Sequence, residues 1–300
     1  MNKKILIIGY GSIGQRHAYI LKKYFKLKEI YILTKQNCKP FKKINKLSEI
    51  NNINPDYIII SSQTSKHYSQ LKYLEKNLNN KIILVEKPIF GKFKKIIIKK
   101  NKVFVGYNMR FNPIIAYIKK ITKGKIIWSV NVICGSYLPD WRKNINYTKS
   151  SSANKNQGGG VLLDLSHELD YLEWIFGDLT IEYAKNFKIS NLKINTDDYL
   201  SLIGSIDKKI NLNLSLNYFD QNPIRQIIIN GMNININADL IQKKLKIFKK
   251  NKFFSKKFSF DRNLSYRKQH SHLLSGNFKN LCTYLQGLKI LKLIEKIKKK

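Results

Sequence analysis

Lys4-Ile5-Leu6-Ile7-Ile8-Gly9-Tyr10-Gly11-Ser12-Ile13-Gly14 decides how the rest of this 300-residue chain is read. Its first half is a short, unbroken apolar run, the pattern of a strand buried on both faces. Its second half is a Gly-x-Gly-x-x-Gly turn leading into a helical pattern from about Ser12 to Tyr24. Gly9 permits the tight turn, Gly11 lets a pyrophosphate approach the backbone, and Gly14 lets the helix pack close to the strand. The helix N-terminus then faces the anion. A strand, this turn and a helix in that order predict a dinucleotide-binding domain, with Ser12 and Ile13 contacting the cofactor beside the three glycines. The basic and apolar start imitates a signal peptide. However, glycines interrupt the run, and Arg16-His17 arrives with no small-residue cleavage site.

Working outward, apolar runs at Ile30–Thr34, Tyr57–Ile60, Lys81–Val85 and Val103–Val105 alternate with helical stretches near Ile44–Ile50 and Thr64–Leu78. That alternation predicts a parallel sheet covered on both faces, the doubly wound Rossmann arrangement, over residues 1–112. The texture then changes. Ile126–Ile133, Ile210–Tyr218, Gln226–Ile229 and Leu240–Phe248 read as longer strands around one helix, Val161–Phe176. Residues 113–300 are therefore expected to form an α+β domain with an open, mostly antiparallel sheet, ending in a helix within Leu273–Lys300. The whole is an α/β fold in two domains.

Hydrophobic residues make up 43% and charged residues 25%, which excludes a disordered chain, and no apolar run is long enough for a membrane-spanning helix. The formal charge is +37, yet Arg occurs only at positions 16, 110, 142, 225, 262 and 267. Lys is spread along the chain among Ile and Asn, so A/T-rich codon usage explains the charge better than specific nucleic-acid binding. Cys38, Cys134 and Cys282 are isolated, which suits a reducing, cytoplasmic setting. No ligand set accompanies the scattered histidines, so no metal is expected.

Three further stretches carry chemistry. Thr34-Lys35-Gln36 ends the second strand without the acid that would bind a ribose 2′-hydroxyl. A hydroxyl and an ammonium suit a 2′-phosphate, favouring NADP while leaving NAD open. Glu86-Lys87-Pro88 follows the fourth strand, at the carboxyl edge where such sheets bind ligands. Lys87 can bond a substrate oxygen there, with Glu86 orienting it. Gly158-Gly159-Gly160 leads into a helix bearing Asp164, His167 and Asp170 at intervals of three, roughly along one face. His167 suits proton exchange with an alcohol. Tyr137, Trp141 and Arg142, in Gly135–Arg142, offer flat faces to a sugar ring and a fork for a carboxylate or phosphate.

Together the glycine loop, Glu86-Lys87-Pro88 and the GGG…Asp…His helix resemble the Gfo/Idh/MocA family of NAD(P)-dependent sugar oxidoreductases. Further matches are Gly11–Ala18, Thr64 with His67, and Val105-Gly106-Tyr107-Asn108-Met109-Arg110-Phe111-Asn112-Pro113. The resemblance covers most of residues 1–180. It implies an enzyme acting on CH–OH groups, with Lys87 as catalytic lysine and His167 with Asp164 as proton relay. It also implies cofactor contacts at Ser61, Thr64, His67 and Glu86, substrate contacts at Tyr107 and Arg110, and homo-oligomers formed through the second domain's sheet. Family members commonly place the His four residues after the Asp, whereas here the spacing is three, about 100° of helical rotation less. The Tyr137–Arg142 stretch is similar to a branch associated with surface-sugar pathways, implying an acidic or nucleotide-linked sugar. The alternative is a non-catalytic sensor or assembly subunit of the same fold.

Overall fold

The computed structural model describes residues 3–142, 146–249 and 251–300. In chain order the elements are β1 (Ile5–Ile8), α1 (Ser12–Phe25), β2 (Ile30–Leu33), β3 (Lys42–Ile44), α2 (Ile50–Ile53), β4 (Tyr57–Ile60), α3 (Thr64–Asn77), β5 (Ile82–Val85) and β6 (Lys102–Val105). There follow α4 (Pro113–Thr122), β7 (Ile127–Gly135), α5 (Val161–Asp164), α6 (His167–Phe176), β8 (Leu179–Phe187), β9 (Tyr199–Ile206), β10 (Ile210–Asn217), β11 (Ile224–Gly231) and β12 (Ile234–Asp239). The chain ends with β13 (Lys244–Lys249), β14 (Lys252–Lys257), α7 (Leu264–Ser275), β15 (Cys282–Thr283) and α8 (Tyr284–Lys298). They form two compact units, Met1–Phe111 with Arg262–Leu291, and Asn112–Asp261 with Lys292–Lys300.

The first unit holds a seven-stranded sheet in the order β15-β6-β5-β4-β1-β2-β3, parallel except for β15. Its central strands read ILII, YIII and IILV and are almost wholly buried, because helices cover both faces of the sheet. Strand order reverses between β1 and β4, so Gly9, Ser61 and Glu86 leave the sheet together at its carboxyl edge.

Residues 262–291, expected in the second domain, belong to this first unit. Leu273 and Leu281 join the core of Ile5, Ile7, Leu21 and Ile59, and Cys282-Thr283 pairs with Val105 and Phe104. That pairing satisfies the outer edge of β6. Two local expectations also change. Ile44 ends β3, pairing with Leu33, instead of starting a helix; the helix is only Ile50–Ile53. Between β5 and β6 the structure has no helix. The segment runs extended, with the backbone N–H groups of Lys99 and Lys100 donating to Glu75 Oε1 at 2.7 Å each. A buried carboxylate thus takes up donors that a helix would have satisfied internally.

The second unit has an eight-stranded sheet, β14-β13-β12-β11-β7-β10-β9-β8, antiparallel except between β7 and β10. α5 packs on β9 and β10, and α6 packs on β8 and α4. Residues alternate accordingly, with Leu212, Leu214 and Leu216 buried under the helices. The opposite face of β11, β7, β10 and β9 carries Ser129, Asn131, Ile133, Ser201, Ile203, Asn211, Asn213, Ser215, Ile228 and Asn230, with no Lys or Arg among these outward positions. The expected helix Val161–Phe176 is two helices, broken at Leu165-Ser166, where Leu165 leaves helical geometry (φ −96°, ψ 21°).

Candidate functional site

At the first unit's carboxyl edge the glycine loop has the geometry its sequence requires. Gly9 sits at φ +97°, and a Cβ there would meet the Ser62 backbone at 2.6 Å. A Cβ on Gly14 would lie 2.2 Å from the Gly9 carbonyl oxygen, so any side chain would push α1 off the loop. Gly11 faces open space and is the N-cap of α1, which has no side-chain cap and no acid in its first turn. The free donors and the helix dipole are therefore left for an anion. The residues present fit a dinucleotide pyrophosphate.

Ser61 supports this loop from beneath, its hydroxyl donating to the Gly9 carbonyl at 3.1 Å. Thr34 Oγ1 accepts from the Gln36 backbone at 3.1 Å, turning the chain after β2. Exposed Lys35 follows, and its carbonyl accepts from Lys43 Nζ at 3.3 Å, so two lysines share the place where an acid would read the ribose. Thr64 begins α3 and is half-buried. Lys87, half-buried, follows the end of β5. Glu86 is 8% exposed, and its Oε1 lies 3.0 Å from His17 Nε2.

Two residues expected to touch ligands do other work. His67 is buried, with Nε2 3.0 Å from the Ser62 carbonyl and Nδ1 3.2 Å from that of Ile89. Burial pushes its pKa down. It links the turn after β4 to the segment carrying Lys87, so it acts on the cofactor region through backbone. Arg110 is likewise buried, its Nη1 donating to the Leu281 carbonyl at 3.3 Å and to Gln286 Oε1 at 2.9 Å. The guanidinium anchors the C-terminal segment instead of facing a substrate. Tyr107 is also buried in this unit.

The second unit contributes another cluster. Gly160, at φ +119°, precedes α5, and a Cβ there would meet the Asp197 carboxylate at 2.3 Å. Asp197 accepts from the Leu162 backbone at 3.0 Å and so anchors the start of α5. The glycine run thus serves close packing. Asp164 closes α5 and His167 opens α6, so the break, not the phase of one continuous helix, sets their relation. Asp164 Oδ2 accepts from the Tyr218 hydroxyl at 2.6 Å. Burial and the Asp164 charge push that phenol well above its ordinary value. Trp141 stands edge-on to Tyr218, with centroids 5.1 Å apart, and donates from Nε1 to Ser136 at 2.8 Å. Trp141 and Arg142 line a shallow cleft with Leu138, Tyr147 and Ser152. Tyr137, half-buried, precedes the turn that carries them.

Beside His167, buried Glu168 accepts from Arg225 Nε at 2.7 Å and ties α6 to β11. Burial opposes the Arg225 charge, but Glu168 and the neighbouring Cys134 and Tyr171 together outweigh it and hold the guanidinium above its usual pKa. Tyr218, Arg225 and His17 escaped the sequence reading. Tyr218 ends an alternating strand, and Arg225 is an arginine inside one, so only strand pairing reveals their partners. His17 was visible as a residue of the glycine-loop helix, but not its link to Glu86.

The sequence pattern of the "Oxidoreductase family, NAD-binding Rossmann fold" matches residues 3–102, and that of the "Oxidoreductase family, C-terminal alpha/beta domain" matches residues 127–300. The uncharacterized oxidoreductase sll0816 of Synechocystis is 29% identical over 128 residues, 40% of this chain and 34% of that protein. The chain thus aligns with about a third of that relative's length. The WlbA dehydrogenase from Bordetella pertussis, in complex with NADH and UDP-GlcNAcA, superposes with a TM-score of 0.77 at 18% identity, over 100% of this chain and 96% of that one. Levoglucosan dehydrogenase in complex with NADH gives 0.82 at 15% identity, over 100% and 96%. The UDP-N-acetylglucosamine 3-dehydrogenase GnnA from Acidithiobacillus ferrooxidans gives 0.76 at 13%, over 99% and 97%. At these identities the likeness to solved structures is one of fold. With both of its parts matched by family patterns, the chain belongs to the Gfo/Idh/MocA oxidoreductase family, an NAD-binding Rossmann domain followed by that family's C-terminal α/β domain.

Proposed function

We propose that this protein is an NAD(P)-dependent dehydrogenase that moves a hydride between the nicotinamide and a CH–OH carbon of a sugar, with an acidic or nucleotide-linked sugar as substrate. The observation that carries the reading is in the first unit: the uncapped N-terminus of α1 behind Gly11, on the same sheet edge as Lys87. Gly9, Gly11, Ser12, Ile13, Gly14 and Thr64 hold the cofactor, with Ser61 and His67 bracing its loops. Lys35 and Lys43, in place of an acid, favour NADP.

When bound, the nicotinamide supplies the hydride acceptor or donor. Lys87 hydrogen-bonds the reacting oxygen and stabilises the charge that develops there. His167 exchanges the hydroxyl proton, with Asp164 supporting it and Tyr218 fixing Asp164. Tyr137, Trp141 and Arg142 hold the sugar, Arg142 by a fork onto its carboxylate or phosphate. The substrate class is supported by the fold likeness to a dehydrogenase solved with UDP-GlcNAcA. A place in surface-sugar synthesis, in the cytoplasm, follows from the resemblance of Tyr137–Arg142 and from three buried free thiols.

Two copies associate through the open face of the second unit's sheet. Its uncharged Asn, Ser and Ile surface is what a +37 chain needs to meet its own copy without repulsion.

Titration with NADPH and NADH at moderate salt, followed by nicotinamide fluorescence, tests the reading; salt suppresses indiscriminate anion binding. Saturable binding preferring NADPH, then turnover with nucleotide sugars, is expected. Binding of neither cofactor would overturn it. Lys87→Ala should lower turnover by about a hundredfold or more while cofactor affinity holds.

A further inference from the structure

Beneath α1, the first unit buries four hydrogen-bonding side chains in one row. Glu86 follows β5 at the carboxyl edge of the sheet, His17 lies in α1, His270 in α7, and Tyr57 begins β4 at the opposite edge. Glu86 Oε1 is 3.0 Å from His17 Nε2, His17 Nδ1 is 2.9 Å from His270 Nε2, and His270 Nδ1 is 3.0 Å from the Tyr57 hydroxyl. Both imidazoles and the phenol are fully buried among Ile5, Ile7, Ala18 and Leu21. Polar groups in such a core destabilise it unless each is satisfied. Here every ring nitrogen has one partner.

A neutral imidazole has one donor and one acceptor, so a row of two has a single sense once either end is set. A phenol donates better than it accepts, and a carboxylate only accepts. Both ends therefore demand the same sense: Tyr57 donates to His270 Nδ1, His270 Nε2–H donates to His17 Nδ1, and His17 Nε2–H donates to Glu86. Burial holds His270 well below its ordinary pKa, as a neutral ring in this row requires.

We propose that Tyr57, His270 and His17 are positioning residues whose one-way hydrogen-bond row holds the Glu86 carboxyl in a fixed orientation beside Lys87. The proposal rests on the catalytic role assigned to Lys87 above. Gly106, after β6, leaves room for this carboxyl, since a Cβ there would lie 2.6 Å from Oε1. The remaining titratable and charged groups around the row come from several elements. Tyr266 of α7 is edge-on to His17 at 5.6 Å and lies under the Arg16 guanidinium at 5.3 Å. Arg262 acts on Tyr266, and His67 of α3 feels the Glu86 charge. Lys87 is the next residue in the chain.

Histidine tautomers read the row directly. The full-length protein is labelled with 15N-histidine and studied free of cofactor by long-range proton–nitrogen spectra. Assignment uses single replacement of His67, His167 and His272. At about pH 8, above the ordinary imidazole range, both rings of the row are expected as neutral Nε2–H tautomers. An Nδ1–H tautomer for either ring at that pH would overturn the proposal. The second variant, Tyr57→Phe, removes only the terminal donor and leaves Glu86 and Lys87 untouched. Its kcat should fall about threefold to tenfold with KM unchanged, the scale of one lost neutral hydrogen bond. His17→Gln, which keeps a donor towards Glu86, should retain more turnover than His17→Leu. An unchanged kcat in Tyr57→Phe, with equal Gln and Leu variants, would reduce the row to a structural feature. Should the wild type lack turnover, the proposed function fails, while the spectra still decide the sense of the row.

Discussion

The two sheets solve the burial problem differently, and their sequences differ accordingly. The first unit's strands are covered on both faces and are almost pure Ile, Leu and Val. The polar groups it buries under α1 are joined in a row that ends on the Glu86 carboxyl. The second unit's strands bury one face only and alternate Leu or Ile with Asn and Ser. Under its helices fully buried Glu168 is held by an ion pair to half-buried Arg225. The first core joins these side chains in one hydrogen-bonded row that ends on Glu86, whereas the one-sided sheet uses an ion pair where two elements must be fixed together.

The largest expected effect lies in that ion pair. Arg225→Ala leaves Glu168 buried without its cation and should cost about 3–5 kcal/mol in urea unfolding. A loss below about 1 kcal/mol would erase the contrast between the two cores, since that is the worth of an exposed pair. Next is the open face. Asn131→Lys combined with Asn213→Lys puts two cations on neighbouring strands joined by an Asn–Asn bond of 2.9 Å. Sedimentation should show self-association weakened by about 2 kcal/mol, roughly thirtyfold in dissociation constant. An unaltered assembly would mean that this face does not mediate it.

Tyr218→Phe removes the bond to Asp164 and should cost about 1 kcal/mol of stability. Turnover should fall more steeply than stability, because Asp164 loses its orientation. The gentlest test is acid. His67 and His270 have lowered pKa values when folded, and both lie in the first unit. The unfolded chain takes up their protons below about pH 6.5 and the folded chain does not, so stability falls as pH drops through that value. Hydrogen exchange should show the first unit loosening before the second between about pH 6.5 and 5.

Much of the first unit was legible because its signals are local. Ile5–Ile8 with Gly9, Gly11 and Gly14 prescribes strand, turn and helix from adjacent residues, and Lys87 follows a strand whose end can be counted. The strand at Lys42–Ile44 was harder to see: two lysines and one buried Ile make no pattern until Leu33 is beside them. The break at Leu165-Ser166 was equally hidden, since Val161–Phe176 keeps good helical periodicity across it.

By itself, then, the sequence determined the order of the two folds, the dinucleotide loop and the pair Glu86-Lys87, because backbone conformation and periodicity act over a few residues. Only tertiary structure decided that Cys282-Thr283 closes the first sheet and that Arg110 holds the C-terminal segment. It also decided that Tyr218 reaches Asp164 and that His270 meets His17 across 253 positions of chain. Each of these is a contact between distant segments, and hydrogen-bond partners across such distances are chosen by packing rather than by neighbouring residues.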